Sequence, residues 1–239
     1  MSRKVFRIQV DERTEYQVAL HPDSGNSFAE QLDNLELEYK QLLSDMKLGN
    51  ETLVFAKVFV SDYLNQRDCM NEHVLLKEHF SNCAFSVIEQ PPLDGNKVNI
   101  LLWLVQGVDL HKKRCGDLFT IQAGSFTHVF HTICCESSGE ALEEATEKAF
   151  ETHQSLIGQS GMDVFNHCVR TWLYVRDIDN NYMPVVRGRN RFLTGTACGK
   201  IRTLSLPQGL KEQVPLPPAD YVWNYTVCAR KRKSEFEIS

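Results

Sequence analysis

The fold that this 239-residue sequence predicts is α+β, with one β-β-α-β-α-β-β unit followed by a second, incomplete copy. Strand-like and helix-like periodicities alternate in that order over residues 1–105. A helix, a glycine stop and a strand then recur, with Val60-Ser61-Asp62 answered by Val175-Arg176-Asp177 and Gly49 by Gly161. The implied period, roughly 110–115 residues, is too long for a solenoid and suits a duplicated domain. With 42% hydrophobic and 24% charged residues, the chain has an ordinary globular composition, and collagen-like structure and disorder are excluded.

Residues 5–10 alternate as a strand, Asp11-Glu12-Arg13 is a polar turn, and residues 16–20 return, so the chain opens with a hairpin. Ser27-Phe28-Ala29-Glu30 has the spacing of a capping box, which starts a helix. Phe28, Leu32, Leu35, Tyr39, Leu42 and Met46 give that helix one apolar stripe, and Gly49 is the expected stop. Residues 52–60, β-branched and aromatic, read as a buried strand. Residues 66–80 read as a second helix, and 84–89 and 97–105 as strands joined through the turn formers Pro91 to Asn96. Residues 106–125, with Gly107, His111-Lys112-Lys113-Arg114 and Gly116, are the expected linker. The second cycle runs as a strand over 126–135, a helix over 138–157, a glycine stop at 158–161 and a strand over 164–175.

Charge and cysteine usage narrow the function classes. Lys plus Arg number 26 against 31 Asp plus Glu, and the net charge of -5 argues against a general affinity for nucleic acid or anionic membrane. The longest apolar run, 100–105, is far short of the ~20 residues that span a bilayer, and the first residues lack a signal-like apolar region. A soluble, cytoplasmic protein is expected. The eight cysteines form no C-x-x-C pair and read as buried reduced thiols. His128 and His131 are an odd number of positions apart on a strand, and His73 and His79 are six apart on a helix, so neither pair converges on a metal. No phosphate loop or nucleophile elbow occurs, and no metal or cofactor is called for.

One stretch carries chemistry. On a strand, Arg170, Trp172 and Tyr174 share a face, where a guanidinium can grip a carboxylate and two rings can wall a pocket. On the helix that should follow, Tyr182, Val186 and Arg189 share one side, and Arg187 and Arg191 another. Arg170, Trp172, Tyr174, Tyr182 and Arg189 form the candidate ligand-binding set, and no catalytic residue can be named. The bland alternatives are core or interface packing of Trp172 and Tyr174, and an ion pair between Arg170 and Asp177.

The stretch Val169-Arg170-Thr171-Trp172-Leu173-Tyr174-Val175-Arg176-Asp177-Ile178-Asp179, followed by Tyr182 and Arg187-Gly188-Arg189-Asn190-Arg191-Phe192, resembles tandem members of the RidA/YjgF family. That family comprises the reactive intermediate deaminases, also called endoribonuclease L-PSP, and is related to the chorismatases. The resemblance covers about residues 5–192 and is most specific over 170–179. It implies chorismate-mutase-like domains at 1–105 and, in part, at 126–192, assembled as trimers or pseudo-trimers with ligand clefts between units. The implied partner is a small carboxylate metabolite, and the implied chemistry is hydrolysis of an imine, an enamine or a chorismate-type enol ether. Such deaminases hold the carboxylate with an arginine near the start of the penultimate strand. Phe85 stands there in the first unit, so that unit is expected to be non-catalytic. A catalytically inactive ligand-binding or scaffold protein is the alternative, and ribonuclease or translation-inhibitor activity is disfavoured by the charge.

The tail does not continue the pattern. Residues 193–239 hold four prolines, which forbid a regular central strand over much of their length, and end in the basic run Arg230-Lys231-Arg232-Lys233. Read in a shifted frame, permitted codons for residues 200–213 spell a segment similar to the one expected there. The tail is therefore expected to be an out-of-frame C-terminus, with the last strands of the second domain missing and the basic run solvated.

Overall fold

The computed structural model describes residues 2–10, 12–23, 27–124, 126–134, 140–196 and 225–232. The chain is α+β and divides into two compact units, one of residues 1–113 with 121–124, the other of residues 114–120 with 125 onward.

In the first unit, β1 (Ser2–Val10) and β2 (Arg13–His21) form the expected hairpin, with Val5 opposite Val18. Helix α1 (Phe28–Met46) starts at the capping box: Ser27 Oγ accepts from the Glu30 N–H, and the Ser27 N–H donates to Glu30 Oε2 at 2.8 Å. It stops at Lys47, not at Gly49. Lys47 takes the left-handed conformation (φ 54°) and donates its N–H to the Leu43 and Ser44 carbonyls, whereas Gly49 is extended. β3 (Leu53–Val60), α2 (Tyr63–Glu72), β4 (Ala84–Glu89) and β5 (Val98–Gln106) complete a sheet of order β1-β2-β5-β3-β4. Its strands are antiparallel except for the β3–β4 pair. Alternation puts Val18, Leu20, Val58, Ile100 and Leu102 on the face that meets Leu32, Leu35, Tyr39 and Leu42 of α1, all essentially inaccessible.

The second helix differs from expectation. Residues 66–80 are not one helix: α2 begins at Tyr63 under an Asp62 cap, ends before His73, and is followed by a π-helical turn, Leu75–His79. Three apolar residues that must reach the core, Met70, Leu75 and Phe80, are five positions apart, a spacing that α-helical turns cannot keep on one face.

Residues 106–125, the expected linker, contain a β-hairpin of β6 (Leu110–Cys115) and β7 (Leu118–Ala123), turned at Gly116 (φ 57°). Edge strand β6 is largely exposed and carries the Lys/Arg run, so its charge masked its strand character. β8 (Phe126–Ile133), α3 (Glu140–Gly158), α4 (Val164–His167), β9 (Cys168–Leu173), α5 (Ile178–Thr196) and β10 (Tyr225–Arg232) follow, and the second sheet has the order β6-β7-β8-β10-β9. The strand expected over 164–175 is shortened at its start, because the Asp163 side chain accepts from the Phe165 and Asn166 N–H groups and caps α4. The core of this unit gathers Val129, Leu142, Phe150, Ile157, Val164, Val185 and Phe192.

The tail also departs from expectation. Residues 225–232 form a central strand, antiparallel to both β8 and β9, so the second sheet does gain a late strand, and Arg230 to Arg232 lie within it. The four prolines, at 207, 215, 217 and 218, all precede the β-branched and aromatic stretch that begins at Tyr225. Residues 197–224 and 233–239, which carry the rest of the anomalous sequence, lie outside the described residues. Among the described residues, no helix is long and apolar enough to cross a membrane.

Candidate functional site

Among the described residues β9 is the edge of the second sheet, and it pairs with β10, Arg170 opposite Cys228 and Trp172 opposite Thr226. Period-2 alternation therefore puts Arg170 and Trp172 on one face, and the Arg170 guanidinium carbon lies 5.6 Å from the Trp172 ring centre. This is a cation–π pair at an exposed position, worth about 0.5–1 kcal/mol, with the guanidinium left at the surface. Tyr174 is one residue beyond the strand and half-buried. Burial pushes its phenol up to about 12, so it is a protonated hydrogen-bond donor and not a base. Cys168, at the start of β9, is raised to about 11 by burial, which leaves its thiol inert.

The α5 residues sort differently. Tyr182 is exposed, and Arg189 directs its guanidinium to Asn190 Oδ1 at 2.8 Å. Asp177, the alternative partner for Arg170, takes a left-handed backbone (φ 47°) and binds Asn180 Nδ2 with its carboxylate at 2.8 Å. Arg187 and Arg191 grip Glu143 of α3, and Arg191 reaches Glu147 at 3.1 Å. The Arg187 and Arg191 guanidiniums hold the Glu143 carboxyl below its ordinary value. Between those two arginines, a Cβ on Gly188 would lie 2.2 Å from the Glu143 carbonyl oxygen, so only glycine lets α5 approach α3 this closely. The Arg-Gly-Arg-Asn-Arg segment is thus a clasp between two helices.

In the first unit, Phe85 of β4 packs on the hydrophobic core with its ring 6.2 Å from that of Phe80. A cleft of about 420 Å³ lies between the end of α1 and residues 105–111, lined by Lys47, Glu51, Thr52, Asp109 and His111 among others, and contains none of the sequence-predicted residues.

Two histidine arrangements escaped sequence reasoning. The break after α2 brings both His73 and His79 near Glu36 of α1: His79 Nε2 is 3.7 Å from Glu36 Oε1. Asp33, Glu36 and His73 carry ligand-type atoms within 4.8 Å of one another. The Leu75 N–H donates to His73 Nδ1 at 3.2 Å, so Nε2 of neutral His73 holds the proton and donates to Asp33 at 3.1 Å. Through these bonds the cluster is a hydrogen-bond network. In the second unit, His131 of β8 meets His153 of α3 in the core. The signal was available, since Phe150, His153 and Ile157 fall on the buried stripe of α3.

In the course of its backbone the chain is similar to a solved chorismatase, at 12% identity and a TM-score of 0.45 over 89% of this chain and 54% of that one. It is also similar to a member of the YjgF protein family from Neisseria meningitidis, at 16% identity and a TM-score of 0.35 over 44% of this chain and 96% of that one. A member of the YjgF/YER057c/UK114 family from Mycobacterium tuberculosis is similar at 15% identity and a TM-score of 0.32, over 43% of this chain and 98% of that one. These likenesses concern the fold. The chain spans about half the length of the chorismatase. No protein-family model and no curated protein matches the sequence.

Proposed function

We propose that the second unit binds a small carboxylate metabolite of ring or enol character on the β9 face, with Arg170 as the carboxylate anchor and Trp172 and Tyr174 as walls. The observation that carries the reading is the Arg170–Trp172 pair: the indole lies beside an exposed guanidinium whose fork has no partner among the described residues. The sequence resemblance over residues 170–179 supplies the chemical class, hydrolysis of an imine, enamine or enol ether. Tyr182 and Arg189 enter this reading as outer groups on α5, since Tyr182 is open to a ligand and Arg189 would have to leave Asn190. Incubation with chorismate and with 2-aminoacrylate generated in situ tests it. Turnover that falls about 10- to 100-fold in Arg170→Ala, the loss of one charge-assisted contact, is expected.

A catalytically inactive binder is the second reading, favoured by Phe85, whose ring lies against the core of the first unit. Ligand binding to the wild type without turnover, weakened in Arg170→Ala, distinguishes it. In either reading the protein is a homo-oligomer, a trimer or pseudo-trimer. Phe6 and Leu101 lie on the sheet face turned away from the α1 core, 63% and 44% exposed. Sedimentation should give a multiple of the 27.4 kDa chain mass and Phe6→Asp a lower one, and a wild-type monomer counts against assembly.

A further inference from the structure

His131 and His153 meet in the core of the second unit, 1% and 0% exposed. Their Nδ1 atoms are 3.2 Å apart, their ring centres 5.4 Å apart, and their planes 20° from parallel. The centre separation exceeds the nitrogen separation by two ring radii, so the nitrogens point at each other in nearly one plane. That is the geometry of an N–H···N hydrogen bond and not of a face-to-face stack. One proton fits between the rings. Without it two lone pairs would face each other, and with two protons two donors would. His153 Nε2 is buried with no hydrogen-bond partner among the described residues, which offer nothing on the far side of that ring to stabilise an added charge.

Among the described residues, little counter-charge surrounds the pair. β7 carries no titratable residue, and β10 places Val227 opposite His131 in the register. On α3 the neighbours one turn from His153 are Ala149, Phe150, Leu156 and Ile157. Beside α4, Asp163 and His167 pair with each other at 3.1 Å. Arg187 and Arg191 of α5 are held by Glu143 and Glu147, more than one turn before His153. Asp117, in the β6–β7 turn, favours a charged His131, but burial outweighs it and holds that ring below the ordinary histidine value. Burial, then His131, pulls His153 down to about 3.

We infer that the His131–His153 pair is an acid-sensitive latch in the second unit: one shared proton keeps α3 seated on β8, and a second proton releases it. The sign follows from linkage. Both rings bind protons less readily in the closed unit than in the open chain, whose histidines titrate near about 6.5. The latch is therefore at full strength above about pH 6.5 and weakens as the pH falls. Each ring kept neutral below that point costs a factor of about ten in the closing equilibrium per pH unit, and the pair up to about a hundred.

Hydrogen exchange read by mass spectrometry on the full chain, corrected for its intrinsic pH dependence, tests this between about pH 7.5 and about pH 5. Peptides from α3 and β8 should lose about 10- to 100-fold of their protection per pH unit while those from α1 of the first unit hold theirs. His153→Phe should flatten the dependence. Should that variant fail to fold, two-bond nitrogen-15 spectra of the wild-type histidines decide. One ring should carry its proton on Nδ1, the other on Nε2, with neither titrating near the ordinary value. Protection of α3 that ignores pH, an equal loss in α1, or either ring titrating at about 6.5 overturns the proposal.

Discussion

At the scale of single residues, the two units treat buried polar groups differently. Tyr39 is inaccessible, yet its hydroxyl donates to Asn50 Oδ1 at 2.6 Å, and Asn50 Nδ2 donates to the His79 carbonyl at 3.0 Å. This chain ties α1 to the π-helical turn, and burial pushes the Tyr39 phenol far above its ordinary value. Tyr39→Phe leaves the Asn50 oxygen unsatisfied and should cost about 1–3 kcal/mol in chemical denaturation, with little change in fold. Tyr39 was legible as core from the spacing of α1, but its polar role was not, because Asn50 lies in a turn whose geometry no periodicity announces. Arg170 and Trp172 were legible because strand alternation alone brings them together. Tyr182 and Arg189 were not resolved the same way. Helical spacing placed them on one side of α5, but it could not reveal that Asn190 captures the Arg189 guanidinium.

At the scale of elements, the α3–α5 pairing is the clearest case of sequence dictating approach. Gly188 puts the α5 backbone against Glu143, and Arg187 and Arg191 bracket the same turn of α3. Gly188→Ala must push the helices apart and should destabilise the second unit by about 1–3 kcal/mol, read as a lower unfolding midpoint. Arg191→Ala removes two surface ion pairs, to Glu143 and Glu147, and should lower the midpoint less than Gly188→Ala does. Elements with a strong single period, such as α1 and β5, fell within one or two residues of their expected bounds. The β6–β7 hairpin did not, because an edge strand carrying His111-Lys112-Lys113-Arg114 has a charge pattern that reads as a solvated link. The π-helical turn was hidden for another reason: a five-residue apolar spacing belongs to neither of the common periods.

At the scale of the whole molecule, the α+β class was legible in the alternating helix and strand periodicities, whereas the closing strand of the second sheet was not. The sequence from Leu193 onward lost its resemblance, and prolines obscured a strand that begins only after them. In a Trp223→Phe background, a chain ended after Thr196 should keep the cooperative unfolding of the first unit and expose Trp172 further, seen as a red-shifted emission. Emission unchanged by the cut would mean that β9 holds its place without β10. The strand order gives that cut a meaning in time as well. β9 carries Arg170 and Trp172, yet its neighbour in the sheet is β10, made about fifty residues later. During synthesis the first unit can close behind the ribosome while β9 waits, and the face that carries Arg170 and Trp172 is assembled last. A prematurely released chain would hold a finished first unit and a β9 strand without its β10 neighbour.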